Sequence, residues 1–243
     1  MARRSASLLI ALATATAASL VVPAATRQSR APVTAGPHAA IVPATGASPD
    51  EPLLARRQRR PAPRIAWRRS TALGSPSGGA LRDGVRLPAA GEHFFTWDPV
   101  RKRAPNRPWR RHGTDRLLRV LLRVAERFAA AHPRAPRLAI GDLSRPRGGD
   151  FGRRFGPVGH VSHQNGLDAD VYLPRRDGRE RAPRTAREVD RMLAQTLVDS
   201  FVRAGAELVL VGPRSGLDGP PAVVQPWPAH EDHLHVRIAP PRR

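Results

Sequence analysis

The sequence Ser-His-Gln-Asn-Gly-Leu-Asp-Ala-Asp at 162–170 and the sequence His-Leu-His-Val-Arg-Ile at 233–238 decide the fold of this chain. Polar and apolar residues alternate in both, and successive side chains of a strand point to opposite faces of a sheet. The two aspartates of the first stretch therefore share one strand face, and the two histidines of the second share another. Each stretch predicts a strand with a polar face towards a cleft and an apolar face towards a core.

Histidines are concentrated around these two stretches. Five of the nine in the chain occur there, namely His160, His163, His230, His233 and His235. Imidazole and carboxylate groups are natural zinc ligands, and three protein ligands with one open position characterise a catalytic site. If the two strands are neighbours in one sheet, Asp170 and the late histidines converge, and His163 reaches them from the preceding loop. The pattern predicts a zinc hydrolase.

The amino-acid composition limits the classes of molecule that the chain is expected to bind. The chain carries a formal net charge of +21 and has no cysteine, so disulfides and thiolate metal ligands are both excluded. A field of this sign attracts polyanions. Aromatic residues make up only 5% of the chain, so the stacking platforms that bind single-stranded nucleic acid are scarce. We therefore expect no nucleic-acid partner and favour anionic wall polymers or lipid headgroups.

The N-terminal quarter of the chain predicts export. Residues 1–25 have a short basic start, an apolar alanine-rich run and small residues at a cleavage site, which is typical of a signal peptide. The run is short for a stable membrane span, which needs about 20 strongly apolar residues. We expect a periplasmic or secreted protein without a membrane span after cleavage; an uncleaved N-terminal anchor is the alternative. Residues 26–69 predict a disordered, basic Pro/Arg/Ala-rich linker, and 70–243 the folded domain.

Two segments have helical periodicity, 114–131 and 185–204. Thr114 is the expected N-cap of the first helix, and Thr185 and Glu188 have capping-box spacing at the start of the second. The apolar stripe of the second helix predicts a set of core residues: Val189, Met192, Leu193, Leu197 and Phe201.

Short apolar runs at 138–140 and 208–211 predict two further strands. Two helices among several strands predict an α+β fold. We expect a single domain with a central, mostly antiparallel sheet flanked by helices, and with the zinc site on one sheet face.

The two motifs resemble the signature of the lysostaphin, D-Ala-D-Ala metallopeptidase and hedgehog-type group of zinc proteins. Within this group the sequence is most similar to the penicillin-insensitive murein endopeptidase family. The resemblance covers roughly residues 70–239 and would make 70–243 a zinc metallopeptidase domain. Supporting stretches lie at 79–88, 141–144, 148–149, 159–164, 166–170 and 227–237.

The resemblance implies a role for each matching side chain of the metal site. Three residues would bind Zn²⁺ with water in the fourth place: His163, Asp170 and His235. Ser162 and Asp168 would hydrogen-bond these ligands and fix their orientation.

The resemblance also implies the catalytic residues. His233 would be the general base, taking a proton from water and passing it to the leaving amine. His160 and His230 would line the active site and steady the substrate or the developing oxyanion. The substrate would be peptidoglycan, cut at the D-alanyl–meso-diaminopimelyl crosslink, and penicillin would not inhibit because no serine nucleophile takes part.

Two other classes stay open on the sequence. The first is a non-catalytic zinc-containing cell-wall-binding module, which has no need of a base such as His233. The second is a basic nucleic-acid-binding protein, disfavoured by the predicted signal peptide. The lack of cysteine and a short segment between Tyr172 and Trp227 depart from the family pattern. The preferred crosslink therefore stays open. Oligomeric state is not predicted.

Overall fold

The structure is a computed structural model that describes residues 64–155 and 159–241. The predicted signal peptide, 1–25, and the predicted linker as far as residue 63 lie outside the described residues. Within the part that is described, no helix is both long enough and apolar enough to cross a bilayer.

Residues 64–69, which the sequence assigns to the linker, pack against the domain. Ile65 contacts the hydrophobic core, and the ring centroid of Trp67 lies 4.2 Å from the Arg119 guanidinium carbon. Ser70 donates from its hydroxyl to the Asp115 carboxylate at 2.7 Å. The contacts of the described chain therefore begin several residues before Ser70.

The described chain contains ten strands and two α-helices. The first half contains β1 (Thr71–Ser75), β2 (Gly78–Arg82), β3 (Val85–Arg86), β4 (Phe94–Thr96), β5 (His112–Gly113), α1 (Asp115–Ala131) and β6 (Leu138–Ile140). The second half contains β7 (Asp168–Tyr172), α2 (Arg191–Arg203), β8 (Ala206–Val211), β9 (Val224–Pro226) and β10 (His233–Ile238). Short 3₁₀ helices span Pro108–Arg110, Arg153–Phe155 and Ala186–Glu188.

Six strands form the main sheet in the order β4-β6-β7-β10-β8-β9. The inner pairs, β6·β7, β7·β10 and β10·β8, are antiparallel, whereas the outer pairs, β4·β6 and β8·β9, are parallel. The α+β class is confirmed, and the expected mostly antiparallel sheet is confirmed only for its centre, because the sheet as a whole is mixed. Two-stranded sheets β1-β2 and β3-β5 lie outside it.

Both edge strands of the main sheet are short, with three residues each. A bridge between Ala90 and Phe95 runs along β4, and the Thr96 amide donates to the Ala89 carbonyl at 3.0 Å. At the other edge, β9 ends in Pro226, which has no amide hydrogen to donate.

Helix α1 agrees with its prediction. The Thr114 hydroxyl caps it by accepting from the Leu117 amide at 3.1 Å. Its apolar stripe and that of α2 belong to one core cluster with the inward residues of β7 and β10, which are Ala169, Val171, Leu234, Val236 and Ile238. Both helices therefore cover the same face of the sheet, and the opposite face of β7 and β10 carries the polar side chains.

Helix α2 begins later than the sequence predicts. Thr185 makes no capping hydrogen bond, and the Glu188 carboxylate binds Arg175 and Arg184 instead of closing a capping box. The N-cap is Asp190, whose carboxylate accepts from the Leu193 amide at 3.1 Å. The prediction of a start at 185 is wrong because Glu188 is used in ion pairs.

The later start of α2 also explains why one residue predicted to lie in the core is exposed. Met192 lies in the first turn of α2 and its side chain is 81% exposed, so its predicted core position is wrong. Leu197 and Phe201 of the same stripe are fully buried, as expected.

Replacing Asp190 with alanine removes the one side-chain cap of α2. We expect the free energy of unfolding to fall by about 1 kcal/mol, the usual contribution of an N-cap carboxylate. Thr185→Ala is the matched control and should change it by less than about 0.5 kcal/mol, since an exposed side chain without a cap contributes little. Urea unfolding of both variants measures the difference; equal losses would restore Thr185 as the cap.

Candidate metal centre

The antiparallel pairing of β7 with β10 builds one side of the site. In register, Asp170 lies opposite His235 and Asp168 lies opposite Arg237. Directly opposed side chains on one face have Cβ atoms about 4.5–5.5 Å apart. The carboxylates of β7 and the imidazole of β10 are therefore brought together by backbone pairing alone.

Three ligand atoms form a nearly equilateral triangle. His163 Nε2 lies 3.2 Å from Asp170 Oδ1 and 3.1 Å from His235 Nδ1, and the last two atoms are 3.4 Å apart. All three side chains are buried. Three lone-pair donors at such separations can point at a single cation.

His163 enters the site from the loop before β7. Its φ of 67° is left-handed, and its amide donates to Asp168 Oδ2 at 3.0 Å. Gly166 ends the same loop with φ of 77°, where a Cβ would lie 2.8 Å from the Leu81 side chain. Its carbonyl accepts from the Thr114 amide at 2.8 Å. The loop is therefore anchored both to β7 and to the start of α1.

Hydrogen-bond partners set the tautomers of both imidazoles. His163 Nδ1 lies 2.7 Å from the Leu143 carbonyl, which can only accept, so Nδ1 carries the proton and Nε2 is a free lone pair. In the neutral ring of His235, Nε2 donates to Asp168 Oδ1 at 3.2 Å and Nδ1 carries the lone pair. Burial lowers the pKa of His235, but the hydrogen bonds to Asp168 and Asp170 raise it to about 9. In each neutral ring the unprotonated nitrogen is the one that faces Asp170.

The Asp168 carboxylate links the two imidazole ligands. Besides the bonds to the His163 amide and the His235 ring, it accepts from Arg237 Nε at 2.7 Å. Burial raises the pKa of Asp168, but the hydrogen bonds from His235 and Arg237 and the neighbouring charges outweigh it and hold the pKa far below its usual value. Asp168 is thus an anion that is hydrogen-bonded to both His163 and His235.

His160 lies beside the triangle and is held by Asp142. His160 Nε2 is 2.8 Å from Asp142 Oδ2 and 3.7 Å from Asp170 Oδ2. His160, His163 and Asp170 also present ligand atoms within 4.8 Å of one another. In the set with His235 the three atoms lie within 3.4 Å of one another, whereas His160 Nε2 already bonds to Asp142.

Asp142 is itself fully buried and is paired with Arg110. Arg110 Nε donates to Asp142 Oδ1 at 2.6 Å, and Asn106 donates to the same oxygen at 2.9 Å. Burial raises the pKa of Asp142, yet the hydrogen bonds from Arg110 and His160 lower it on balance. The Arg110 guanidinium carbon lies 4.9 Å from the ring centroid of Trp109 and 4.8 Å from that of Phe151.

His233 and His230 form the outer wall of the site. His233 Nε2 lies 4.0 Å from Asp170 Oδ1, and its Nδ1 lies 2.7 Å from Asp232 Oδ1. Burial lowers the pKa of His233, but the hydrogen bond to Asp232 and the charge of Asp170 raise it above the ordinary value. The ring of His230 lies 4.8 Å from that of His233. Burial and the charge of His233 lower the pKa of His230.

The fold gathers seven of the eight side chains that the sequence singles out: His160, His163, Asp168, Asp170, His230, His233 and His235. Ser162 is different, because no hydrogen bond of its hydroxyl to either imidazole is found among the described residues. Sequence reasoning missed the supporting groups Arg110, Asp142 and Asp232. Asp142 directly follows Gly141 at the end of a buried strand, and this position could have identified it from the sequence. The Leu143 carbonyl is a backbone group, so no sequence pattern identifies it.

Comparison with known proteins identifies the family of this chain. The model of the penicillin-insensitive murein endopeptidase family matches residues 72–206, more than half of the chain. The chain belongs to this family. The matched region includes His160, His163 and Asp170 and ends before β10, so His233 and His235 lie beyond it.

Individual relatives carry the same family name. A penicillin-insensitive murein endopeptidase of Haemophilus influenzae is 27% identical over 216 residues, covering 78% of this chain and 70% of the relative. Proteins of that name from Yersinia pestis and Yersinia pseudotuberculosis are 29% identical over 125 residues, covering 41% of this chain. The matched region spans 44% of the length of each of these two Yersinia proteins.

Replacing Asp168 with asparagine tests how far the site depends on ligand orientation. We expect the affinity for a divalent cation to fall about 10- to 100-fold, as is usual when the partner of a metal-binding histidine is removed. Asp218→Asn changes charge equally at an exposed position and should leave the affinity unchanged. Competition with a chromophoric chelator measures both; unchanged affinity in Asp168→Asn would exclude the orienting role.

Proposed function

We propose that this protein is an exported, zinc-dependent murein endopeptidase that hydrolyses peptide crosslinks of peptidoglycan. The triangle of His163 Nε2, Asp170 Oδ1 and His235 Nδ1 carries the proposal. Zn–N and Zn–O bonds of about 2.0–2.1 Å in a tetrahedron require ligand atoms about 3.3 Å apart. The three separations, 3.1, 3.2 and 3.4 Å, fit this requirement.

The donor set also suits zinc. Two neutral imidazoles and one carboxylate with an open fourth position are typical ligands of catalytic zinc sites. Zinc in such a site lowers the pKa of its water to about 7 and polarises a carbonyl oxygen. Asp168 and the Leu143 carbonyl hold both imidazoles in the tautomer that this ligation needs.

His233 is placed to move the proton. Its Nδ1 bonds to the Asp232 carboxylate, so the neutral ring carries its proton there and its Nε2 is a free base. Nε2 lies at the edge of the ligand triangle, 4.0 Å from Asp170 Oδ1. His233 can accept a proton from the attacking water and return it to the leaving amine, and Asp232 stabilises the charged ring between these steps.

His160 and His230 flank the position of the scissile bond. Asp142 fixes the orientation of His160, which presents its ring next to His163 with centroids 4.2 Å apart. His230 Nδ1 donates to the Pro228 carbonyl at 2.8 Å, leaving Nε2 directed away from that contact. We assign both rings to binding the substrate or the developing oxyanion.

The substrate assignment rests on family membership. The relatives named above are murein endopeptidases. From the resemblance of the motifs to that family we assign cleavage to the D-alanyl–meso-diaminopimelyl crosslink. Peptidoglycan lies outside the cytoplasm, which agrees with the predicted signal peptide and a periplasmic or secreted location. The net charge of +21 favours attachment to an anionic wall.

Separate substitutions distinguish metal binding from proton transfer. His163→Ala and His235→Ala should each lose bound zinc and crosslink cleavage. His233→Ala should retain about one zinc per chain while kcat falls at least about 100-fold, the usual contribution of a general base. Metal analysis and mass spectrometry of crosslinked muropeptides provide the two readouts. His93→Ala, at a half-buried histidine outside the site, is the control substitution.

Cleavage that persists after chelation would exclude the zinc mechanism. Zinc bound by the wild-type chain without any muropeptide cleavage would instead identify a non-catalytic zinc-containing wall-binding module. A normal rate in His233→Ala would remove this residue from the base role.

The acidic limb of the pH–rate profile should report Asp232. Neutral His233 is the active form, so activity falls as the pH drops through its pKa, which Asp232 raises. Asp232→Asn removes this effect and should move the acidic limb of kcat/KM to lower pH. Asp218→Asn should leave the acidic limb in place. An acidic limb that Asp232→Asn does not move would show that the limb does not report the titration of His233.

A further inference from the structure

A second polar site lies away from the ligand triangle. A cavity of about 390 Å³ opens between residues 64–68, the turn that joins β2 to β3, and β5. Its walls contain four arginines, Arg64, Arg68, Arg86 and Arg111, and none of its lining residues is acidic. The volume falls within the range of small-molecule sites, about 300–1,000 Å³.

Arg111 is a buried cation whose charge is left uncompensated. Its side chain is only 6% exposed, and Nη1 donates to the Leu87 carbonyl at 2.6 Å. Its Nε is buried without a hydrogen-bond partner, and no ion pair of Arg111 occurs among the described residues. Burial and the charge of Arg86 both lower the pKa of Arg111. A buried cation of this kind is costly unless an anion pairs with it.

His112 adds a second nitrogen without a partner in the described chain to the same wall, although the ring also has a hydrogen bond with the Trp109 backbone. It lies opposite Arg86 in the β3-β5 pair, and its Nδ1 is buried without a hydrogen-bond partner in the described chain. Burial, followed by the charges of Arg86, Arg111 and Arg68, lowers the pKa of His112 to about 4. His112 is therefore neutral at pH 7, and the three guanidinium groups act on the same small volume.

We propose that this cavity binds a phosphate group, as inorganic phosphate or a small phosphate monoester. Guanidinium groups match phosphate oxygens with pairs of parallel hydrogen bonds. Four arginines exceed what one carboxylate can pair with, whereas a phosphate offers two charges and several acceptor oxygens. The site is separate from the catalytic residues, since Arg110 turns to Asp142 while Arg111 lines the cavity.

Isothermal titration of the zinc-loaded full chain with inorganic phosphate tests the site. We expect one saturable phosphate per cavity and an affinity about tenfold weaker in Arg86→Gln, corresponding to one lost charge-assisted contact. Arg86 is exposed, so this substitution should leave the fold intact. Arg187→Gln removes the same charge from an exposed position on the 3₁₀ helix Ala186–Glu188 and should not weaken phosphate binding.

Phosphate could also bind at the zinc centre, and Arg86→Gln distinguishes the two places. Binding retained at full affinity in Arg86→Gln would overturn the proposal, as would the same loss in Arg187→Gln or the absence of saturable binding. The imidazole NMR signals of His112 should shift with phosphate in step with the titration; unshifted signals would also overturn it.

Two further titrations fix the ligand class and its source. Acetate at equal ionic strength should bind at least about tenfold more weakly than phosphate, since it offers fewer acceptors and one charge. Equal affinity would overturn the phosphate assignment. Glycerol phosphate that binds more tightly than inorganic phosphate would identify a monoester as the ligand, and weaker binding would identify free phosphate.

Discussion

The register between β7 and β10 is the constraint on which the site depends. Side chains alternate with a period of two, so a slip of one residue would turn Asp168 and Asp170 towards the helices and bring Ala169 and Val171 into the site. The slip would also separate Asp170 from His235. Strands β6 and β8 pair on the outer sides of these two strands and hold the register from both directions.

Two buried carboxylates of the site, those of Asp142 and Asp168, are each bonded by several protein donors. Asp142 is bonded by Arg110, Asn106 and His160, and Asp168 by the backbone of His163 and the side chains of β10. Removing one partner of such a buried pair typically destabilises a protein by about 3–5 kcal/mol. Asp170 is bonded by imidazoles instead: its Oδ1 lies 3.2 Å from His163 Nε2 and 3.4 Å from His235 Nδ1. Burial raises the pKa of Asp170, but these rings and the neighbouring His160 hold it well below its ordinary value.

The sequence was sufficient where a local pattern determined the outcome. Alternation in 167–173 and 233–238 predicted both strands and their polar faces, and the threonine before α1 predicted its cap. The sequence-based prediction failed where a side chain had two possible partners. Glu188 pairs with Arg175 and Arg184 instead of forming a capping box, and α2 starts at Arg191. Neither the Leu143 carbonyl nor the pairing of Arg110 with Asp142 could be found by periodicity, since both depend on tertiary approach between separate segments.

The short borders of the main sheet have a consequence for the behaviour of the protein at high concentration. Unpaired backbone groups along an exposed strand are a template on which another polypeptide can add a strand. Here one border is three residues long and bridged by its own preceding loop, and the other is equally short and closed by proline. The sheet thus offers little template for growth into fibrils, and mutual repulsion of a chain with a charge of +21 acts in the same direction.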